Sequence, residues 1–370
     1  MKVISTGNTF KVFDDTLRTY DEFPAQSYVV RFNKLEGFYL ERYVDIEINE
    51  DKIYGVHINK VNKVLNSFER FNRSLGVILS GDKGIGKSLF AKLLSIAAIK
   101  KNIPLIVVDR FIPGIASYIE SIDQEVMVLF DEFDKTFGEV RASDGEASPQ
   151  TTLLSLFDGV SGGKKLFVIT CNSLYKLNEY LINRPGRFHY HFRFDYPSPS
   201  EIREYLEDKL QTAFYGEIDA VIAFSRKVNL NFDCLRAIAF EINSGISFKE
   251  AISDLNIINT GDGSRYDAIL HYKNGMQASC KDVSLDLFGD GKESFWLSDK
   301  AGYQYVEVTF DVRVTKFDVD NCVYVVTANN LSVRYDRDSE YEKLVKQAEE
   351  TEVEYLSLSK SRVKNIHYII

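Results

Sequence analysis

The chain has 370 residues, of which 45% are hydrophobic and 27% charged, and this composition excludes a disordered, collagen-like or mucin-like protein. Its 45 lysines and arginines are outnumbered by 54 aspartates and glutamates, so the net charge of −9 gives no overall attraction to nucleic acid or anionic lipid. The four cysteines lie far apart without a C-x-x-C pair, which indicates neither a zinc site nor a disulfide framework.

The N-terminal residues 1–11 lack the basic flank and apolar run of a signal peptide. No stretch of the sequence reaches the roughly 18 apolar residues that a membrane span needs. We therefore expect a cytoplasmic protein with no membrane partner.

The sequence pattern changes near residue 53, from strand-like before it to helical after it. Short alternating runs at 27–32 and 38–48 favour strands and predict a small mixed or β-rich N-terminal module over residues 1–53. From 54 to 75 the apolar residues follow a helical spacing that ends before Gly76.

Four short apolar segments then follow the pattern of buried parallel strands. The sequence between them is typical of helices, which predicts βα crossovers and a doubly wound α/β core over residues 54–197. The predicted strands are 77–80, 105–109, 126–131 and 166–170, and the predicted crossover helices are 89–100, 114–121 and 151–157.

The remainder of the chain divides into a helical and a β-rich part. Helical periodicity after residue 197 predicts an all-helical subdomain over 198–258, and a turn-rich segment at 259–264 ends it. Alternation beyond that segment predicts a C-terminal β-rich module over 259–370. The predicted helices are 201–214, 218–227, 234–242, 248–255 and 339–352, and the predicted strands are 305–314, 322–333 and 353–370.

Residues 81–88 satisfy the pattern G-x-x-x-x-G-K-[ST] between a predicted strand and a predicted helix. In such a loop the backbone N–H groups and the helix N-terminus cradle phosphate oxygens, Lys87 reaches the β and γ phosphates, and the Ser88 hydroxyl binds Mg²⁺. The alternative is a glycine-rich turn with a chance lysine. The predicted nucleotide-binding residues here are Gly81, Asp82, Lys83, Gly84, Ile85, Gly86, Lys87, Ser88 and Leu89.

The strand predicted at 126–131 ends in the adjacent carboxylates Asp131 and Glu132. Chemistry in an open α/β sheet is expected at the carboxyl ends of strands. Asp131 is predicted to hold Mg²⁺ through water, and Glu132 to orient and polarise the water that attacks the γ phosphate. A solvated acidic strand end is the alternative.

The strand predicted at 166–170 is followed by Cys171 and Asn172, which places an amide at the same sheet edge. Asn172 can hydrogen-bond the attacking water or the γ phosphate. An asparagine after a strand is also a common turn former, and this alternative stays open on the residue alone.

A fourth motif, Asn-Arg-Pro-Gly-Arg-Phe, occupies residues 183–188. With it, residues 54–258 resemble the AAA branch of the AAA+ ATPases, specifically the mitochondrial translocase-like and AAA protease-like cores. The resemblance implies a P-loop AAA+ core with a helical lid. Its matching features, in chain order, are the phosphate loop at 81–88, the acidic pair Asp131 and Glu132, the first sensor Asn172, and the arginines Arg184 and Arg187.

The resemblance implies that Arg184 and Arg187 act as arginine fingers on the ATP of a neighbouring subunit. A Pro-Gly turn holds the two guanidinium groups apart on an exposed loop, and nothing in their own subunit obviously needs both. Surface arginines in a turn are the alternative. Fingers of this kind are worth about 10³ to 10⁵ in rate.

Four further assignments depend on the same resemblance. Arg236 lies on a segment similar to a second-sensor helix and is a candidate nucleotide contact, the alternative being an arginine that caps or pairs on the lid surface. Residues 111–114 occupy the place of a pore loop, or form a packed turn. Arg141, in a predicted mobile loop, is a candidate for a second pore loop, and Asp134 for the surface between subunits.

The leading functional hypothesis is a ring-forming ATPase, a homohexamer by resemblance, that uses ATP and Mg²⁺ and remodels, unfolds or translocates a protein partner. The alternative is an AAA+ loader or remodeller of nucleic acid, for which DNA-stimulated hydrolysis would be diagnostic and against which the net charge of −9 weighs. A scaffold that binds ATP without hydrolysis is a third possibility. It would need neither Glu132 nor the two arginines.

Overall fold

The computed structural model describes residues 1–48, 52–54, 57–138, 148–158, 163–257, 264–336 and 342–361. The chain divides into two compact units, Met1–Asp195 and Tyr196–Ile370. Arg141, the candidate second pore-loop residue, lies outside the described residues. Among the described residues, no helix combines the length and apolar character needed to cross a membrane.

The first unit alternates strands and helices along most of its length. Its strands are β1 (Lys2–Thr6), β2 (Thr9–Phe13), β3 (Ser27–Asn33), β4 (Gly37–Arg42), β5 (Leu75–Ser80), β6 (Leu105–Val108), β7 (Val126–Phe130), β8 (Lys165–Cys171) and β9 (Phe188–Arg193). Its helices are α1 (His57–Arg70), α2 (Lys87–Lys100), α3 (Ile115–Glu120), α4 (Phe133–Thr136), α5 (Pro149–Thr152) and α6 (Leu154–Phe157).

Seven of these strands form one sheet in the order β4-β3-β6-β7-β8-β5-β9. All neighbours are parallel except β3 and β4. Every residue of β5, β6, β7 and β8 is buried, as expected where helices cover both faces of a parallel sheet. The predicted α/β core is therefore confirmed.

The leading residues depart from the prediction of a separate module over 1–53. Strand β3 pairs in parallel with β6, starting with Ser27 opposite Leu105, and β4 pairs with β3. The first four residues of β3 are buried. These strands thus extend the main sheet and cover the edge that β6 would otherwise expose. The hairpin of β1 and β2 forms a two-stranded sheet of its own.

Aromatic packing fixes the segment that follows β7. The rings of Phe130, Phe133 and Phe137 are mutual neighbours, and Phe157 packs against the first two of them. Phe111 is half-buried, and its ring centroid lies 6.1 Å from that of Phe137. Of the two alternatives for residues 111–114, this contact favours the packed turn over a pore loop.

The second unit begins with the predicted group of helices, α7 (Pro199–Lys209), α8 (Ile218–Ser225), α9 (Phe232–Asn243) and α10 (Phe248–Asp254). Side chains cap three of them, Ser198 before α7, Asn231 before α9 and Ser247 before α10. These caps and the apolar stripes account for the success of the helix predictions in this part of the chain.

The rest of the second unit is an antiparallel sheet in the order β14-β15-β17-β10-β11-β12-β13-β16, with one helix. The predicted β-rich character is confirmed, although none of the strands β10 to β12 was among the predicted strands. The elements are β10 (Ser264–Tyr272), β11 (Gln277–Leu285), β12 (Lys292–Ser298), β13 (Gln304–Asp311), β14 (Lys316–Asp318), β15 (Val323–Thr327), β16 (Leu331–Tyr335), α11 (Glu342–Glu349) and β17 (Val353–Lys360).

The helices and the sheet of the second unit are joined at the C-terminus of α8. The last carbonyl groups of a helix have no partner within it and need donors from elsewhere. Here side chains of the sheet segment donate to the last turn of α8 and to the two residues that follow it: Tyr324 to Ala223 O (2.7 Å), Lys360 to Ser225 O (3.1 Å), Tyr266 to Arg226 O (3.1 Å) and Ser264 to Lys227 O (2.5 Å). The two parts are therefore bonded to each other within this unit.

Candidate functional site

The glycine-rich loop connects β5 to α2 and is shaped by backbone that only glycine adopts easily. Gly81 has φ +141°, and a Cβ atom there would lie 2.3 Å from the carbonyl oxygen of Phe194. Gly86 has φ +98° and precedes α2, whose N-terminus is capped by no described side chain. The N–H groups of the first turn are thus left for a ligand, and anions are favoured there.

Lys87, the first residue of α2, is 8% exposed and points back into the loop. Its ammonium group donates to the carbonyl oxygens of Gly81 (2.7 Å) and Asp82 (2.5 Å) and to Oδ1 of Asn172 (3.0 Å). Burial lowers the pKa of Lys87, and nearby negative groups oppose that shift. The Lys87 ammonium is therefore desolvated, and a ligand could replace the oxygen atoms that now accept its hydrogen bonds.

The sheet order explains why these residues meet. Strand β8 lies between β5 and β7, so its C-terminal end separates the loop after β5 from the carboxylates after β7. Asn172 follows β8 directly and contacts Lys87. The parallel arrangement thus places the predicted loop, amide and acidic pair at one edge.

Asp131 and Glu132 follow β7 and are both exposed. The Thr170 hydroxyl donates to Oδ1 of Asp131 (2.6 Å), and the Glu132 N–H donates to the same hydroxyl (2.8 Å). The Glu132 carboxylate is paired with the Lys135 ammonium. Sequence reasoning missed Thr170 and Lys135. The signals available were a hydroxyl within an apolar strand and a lysine three residues after the glutamate.

The predicted Mg²⁺ ligands fit that ion by the chemistry of their oxygens. Ser88 and Asp131 are exposed, and each offers a hard oxygen donor. Within the described ranges, no group of three or more His, Cys, Asp or Glu side chains is arranged to hold a metal ion. Mg²⁺ commonly keeps several waters and binds one or two protein oxygens together with phosphates, so a sparse donor set is suitable.

Asp134 does not lie on a surface between subunits, as the resemblance suggested, because it is 2% exposed. Its Oδ2 accepts from the N–H of Ser173 (3.1 Å), which directly follows Asn172. Its Oδ1 is buried and has no hydrogen-bond partner among the described residues. Asp134 therefore fixes the backbone after the candidate sensor.

The arginine loop differs from expectation in one respect, since Arg187 has partners within its own subunit. Its guanidinium group makes a two-pronged ion pair with Asp158, with Nη2 to Oδ2 at 2.7 Å, and Nη1 donates to Tyr180 O at 2.8 Å. These bonds lower the pKa of Asp158 and raise that of Arg187. Arg184 is exposed, with its guanidinium carbon 5.4 Å from the Tyr180 ring centroid.

Arg236 lies on α9 of the second unit. Its side chain is 58% exposed, and its Nη1 lies 3.7 Å from Oδ1 of Asp233. This pair matches the alternative of an arginine pairing on the lid surface. A contact between Arg236 and nucleotide stays a prediction.

The parallel sheet, the glycine-rich loop and the buried lysine define a nucleotide-binding domain of the P-loop class. Residues 77–196 match the family described as "ATPase family associated with various cellular activities (AAA)", so the chain carries an AAA+ ATPase domain. The resemblance to the AAA+ ATPases is therefore confirmed for these residues, and the likeness of the flanking residues and to particular members of the AAA branch stays a prediction.

Proteins of known description align with the same region. Tat-binding homolog 7 of Caenorhabditis elegans is 27% identical over 191 residues, covering 44% of this chain and 15% of the relative. The ATPase histone chaperone abo1 of Schizosaccharomyces pombe is 25% identical over 191 residues, covering 44% and 16%. The proteasome-associated ATPase of Kribbella flavida is 25% identical over 256 residues, covering 58% and 44%. The chain thus spans less than half the length of each of these relatives.

Proposed function

We propose that the protein hydrolyses ATP with Mg²⁺ and, as a homohexameric ring, uses that reaction to remodel, unfold or translocate a protein partner. The observation that carries the proposal is the placement of Lys87. Its ammonium contacts both the phosphate loop and Asn172, next to the strand that ends in Asp131 and Glu132.

Binding is proposed to begin with an exchange of partners. The Lys87 ammonium leaves the carbonyl oxygens of Gly81 and Asp82 for phosphate oxygens of ATP, and the N–H groups at the start of α2 bind further oxygens. Ser88 directly, and Asp131 through water, would hold Mg²⁺, which would neutralise part of the phosphate charge. Because Lys87 is desolvated before ATP arrives, little water must be removed from it.

The proposed chemical step needs a base and a hydrogen-bonding partner for water. Glu132 orients and polarises the attacking water once its carboxylate has left Lys135. That ion pair is exposed to solvent and so holds the glutamate weakly. The Asn172 amide, positioned by its bond to Lys87 and by Asp134 at the next backbone N–H, contacts the γ phosphate or the water.

Arg184 and Arg187 are proposed to have different roles. Arg184 is exposed and available to the ATP of a neighbouring subunit, whereas Arg187 is held by Asp158 and Tyr180 and shapes the loop that presents Arg184. A finger supplied by a neighbour makes turnover depend on assembly, by about 10³ to 10⁵ in rate. This dependence is the reason for proposing a ring.

A protein partner is proposed in preference to nucleic acid. The net charge of −9 offers no general attraction to a polyanion. The relatives include an ATPase described as a histone chaperone and one described as proteasome-associated, and both descriptions name protein partners.

A mixing experiment tests hydrolysis between subunits. Glu132→Gln should bind ATP without turnover, Arg184→Ala should bind ATP with little turnover, and Lys87→Ala should fail to bind. In rings mixed from Glu132→Gln and Arg184→Ala, some interfaces combine an intact Glu132 with an intact Arg184, so turnover should reappear. Two different affinity tags verify that the rings are mixed. Verified mixed rings without recovered turnover would contradict the interface model.

The partner is tested with the substrate-trapping variant. Glu132→Gln loaded with ATP is used for affinity capture from native lysate, with Lys87→Ala as the matched control. Retention of one protein by Glu132→Gln only, unaffected by nuclease, supports a protein partner. Retention that nuclease abolishes favours a nucleic-acid remodeller.

A further inference from the structure

Thr170 uses both hydrogen-bonding capacities of its hydroxyl on the two candidate catalytic carboxylate residues. It is 2% exposed and lies on β8, one residue before Cys171. Its Oγ1 donates to Oδ1 of Asp131 at 2.6 Å and accepts the N–H of Glu132 at 2.8 Å. A hydroxyl is a donor and an acceptor at once, which an aliphatic side chain of the same shape is not.

The bond to Glu132 acts on unusual backbone. Glu132 has φ 47° and ψ 46°, the left-handed conformation, where the chain turns from β7 into α4. This conformation sets the direction in which the Glu132 side chain leaves the backbone. The Thr170 hydroxyl holds the peptide N–H of that residue and thereby stabilises the turn.

The bond to Asp131 restricts the carboxylate itself. The bond from Thr170 to Oδ1 restricts the orientation of the Asp131 carboxylate, whose second oxygen would then face a water bound to Mg²⁺. A side chain that binds a metal is less well oriented when no neighbouring group holds it by a hydrogen bond. Mutation of outer partners commonly costs 10- to 100-fold in metal affinity or activity.

We propose that Thr170 is a positioning residue that sets Asp131 for Mg²⁺ and Glu132 for the attacking water. This inference rests on the proposed ATP hydrolysis and adds a residue to it. The single hydroxyl couples the two tasks, because any movement of Thr170 disturbs the metal ligand and the base together.

The test compares substitutions at Thr170 in the full-length protein. Thr170→Val keeps the shape and removes both hydrogen bonds, and Thr170→Ser keeps the hydroxyl. Mn²⁺ is the probe, titrated by electron paramagnetic resonance in the presence of ADP. We expect Thr170→Val to weaken Mn²⁺ binding and to lower kcat, each by about 10- to 100-fold. Thr170→Ser should stay close to wild type.

Ser95→Ala is the matched control for a lost buried hydroxyl. Ser95 is fully buried in α2 and donates to Ala91 O at 2.7 Å. This variant should lower the melting temperature and leave Mn²⁺ affinity unchanged. If Thr170→Val behaves in the same way, with wild-type Mn²⁺ binding and kcat, Thr170 is merely structural and the proposal is wrong.

A second substitution at Thr170 and a comparison of Mn²⁺ binding with ATP hydrolysis in the wild-type protein make the test decisive. If Thr170→Val fails to fold, Thr170→Cys provides a weak donor and acceptor of similar volume and should give intermediate Mn²⁺ affinity, whereas wild-type affinity would overturn the proposal. If the wild-type protein binds Mn²⁺ with ADP but hydrolyses no ATP, the proposed function fails. In that case the Mn²⁺ titration still decides whether Thr170 orients Asp131.

Discussion

Lys87 lies at the carboxyl end, and Lys165 at the amino end, of the strands of the seven-stranded sheet, and both lysines are buried. At the carboxyl edge, the Lys87 ammonium bonds two loop carbonyls and the Asn172 side chain. At the amino edge, the Lys165 ammonium bonds the carbonyl oxygens of Ile122 (2.5 Å), Gly163 (2.9 Å) and Gln124 (3.3 Å).

The two lysines share the property that is often used to find functional sites. Burial lowers the pKa of each, that of Lys165 to about 8. What differs is the set of partners. Those of Lys87 belong to a glycine-rich loop and to an amide at the carboxyl end of the strands, where ligands bind, whereas those of Lys165 are backbone carbonyl groups in the segments that lead into β7 and β8. A perturbed pKa therefore indicates burial, and the partners indicate the role.

The largest expected effect separates the two lysines by nucleotide binding. Lys87→Met should abolish binding of a fluorescent ATP analogue, because the cation that meets the phosphates is gone. Lys165→Met should bind the analogue with wild-type affinity in its folded fraction. The measurement is a titration at low temperature, with circular dichroism to establish folding. A folded Lys165→Met protein that cannot bind would show that the amino edge also serves the nucleotide.

The second effect concerns the stability of the first unit. Lys165→Met removes the donor from three carbonyl acceptors, of which Ile122 O is buried and Gln124 O and Gly163 O are partly buried, and a buried acceptor left without its donor costs about 1–3 kcal/mol. We expect the free energy of unfolding to fall by at least the cost of one of them. Urea unfolding followed by circular dichroism measures the loss, and hydrogen exchange should rise at residues 122–126. A variant as stable as wild type would mean that water replaces the ammonium.

A smaller effect is the pH dependence of that stability. The pKa of Lys165 is about 8 in the folded protein against an ordinary 10.5, so between these values the unfolded chain binds more protons. Stability contributed by this group should therefore rise as pH increases from about 8 to 10.5. The stability difference between wild type and Lys165→Met, measured in urea across this range, removes the contributions of other groups. A flat difference would contradict a depressed pKa.

The smallest effect is expected in the second unit. Lys360 is partly buried, and burial lowers its pKa to about 8, but among the described residues it donates to one carbonyl, that of Ser225. Lys360→Met should lower the free energy of unfolding by about 0.5–1.5 kcal/mol. Tyr324→Phe, which also removes one bond to α8, is the matched comparison. If Lys360→Met costs as much as Lys165→Met, the number of carbonyl partners does not set the loss.

Local features of the fold were predictable because local sequence determines them. The apolar runs ending at Ser80 and Phe130 predicted buried strands, and the glycine spacing at 81–88 predicted a loop between strand and helix. The pairing of β3 with β6 was not predictable in this way. It pairs Ser27 with Leu105, and the sequence of neither segment specifies the strand with which it pairs.

The candidate site was predictable to a similar depth. Lys87 and Asn172 were assigned from their motifs, and the structure brings them into contact. The partner of Arg187 was not found, because Asp158 lies 29 residues away and belongs to no motif. Thr170 was also missed, since threonine is a common strand former and its hydroxyl contacts are tertiary.

The four side-chain bonds at the end of α8 have a mechanical consequence. They attach the antiparallel sheet to the end of α8 and to the two residues after it, within the predicted lid, so the helices and the sheet of the second unit are joined stiffly at this point. In a rigid-body rotation, displacement grows with distance from the axis. A small rotation of α8 would therefore move the strands farthest from the joint, such as β16, over a longer arc than the helices themselves.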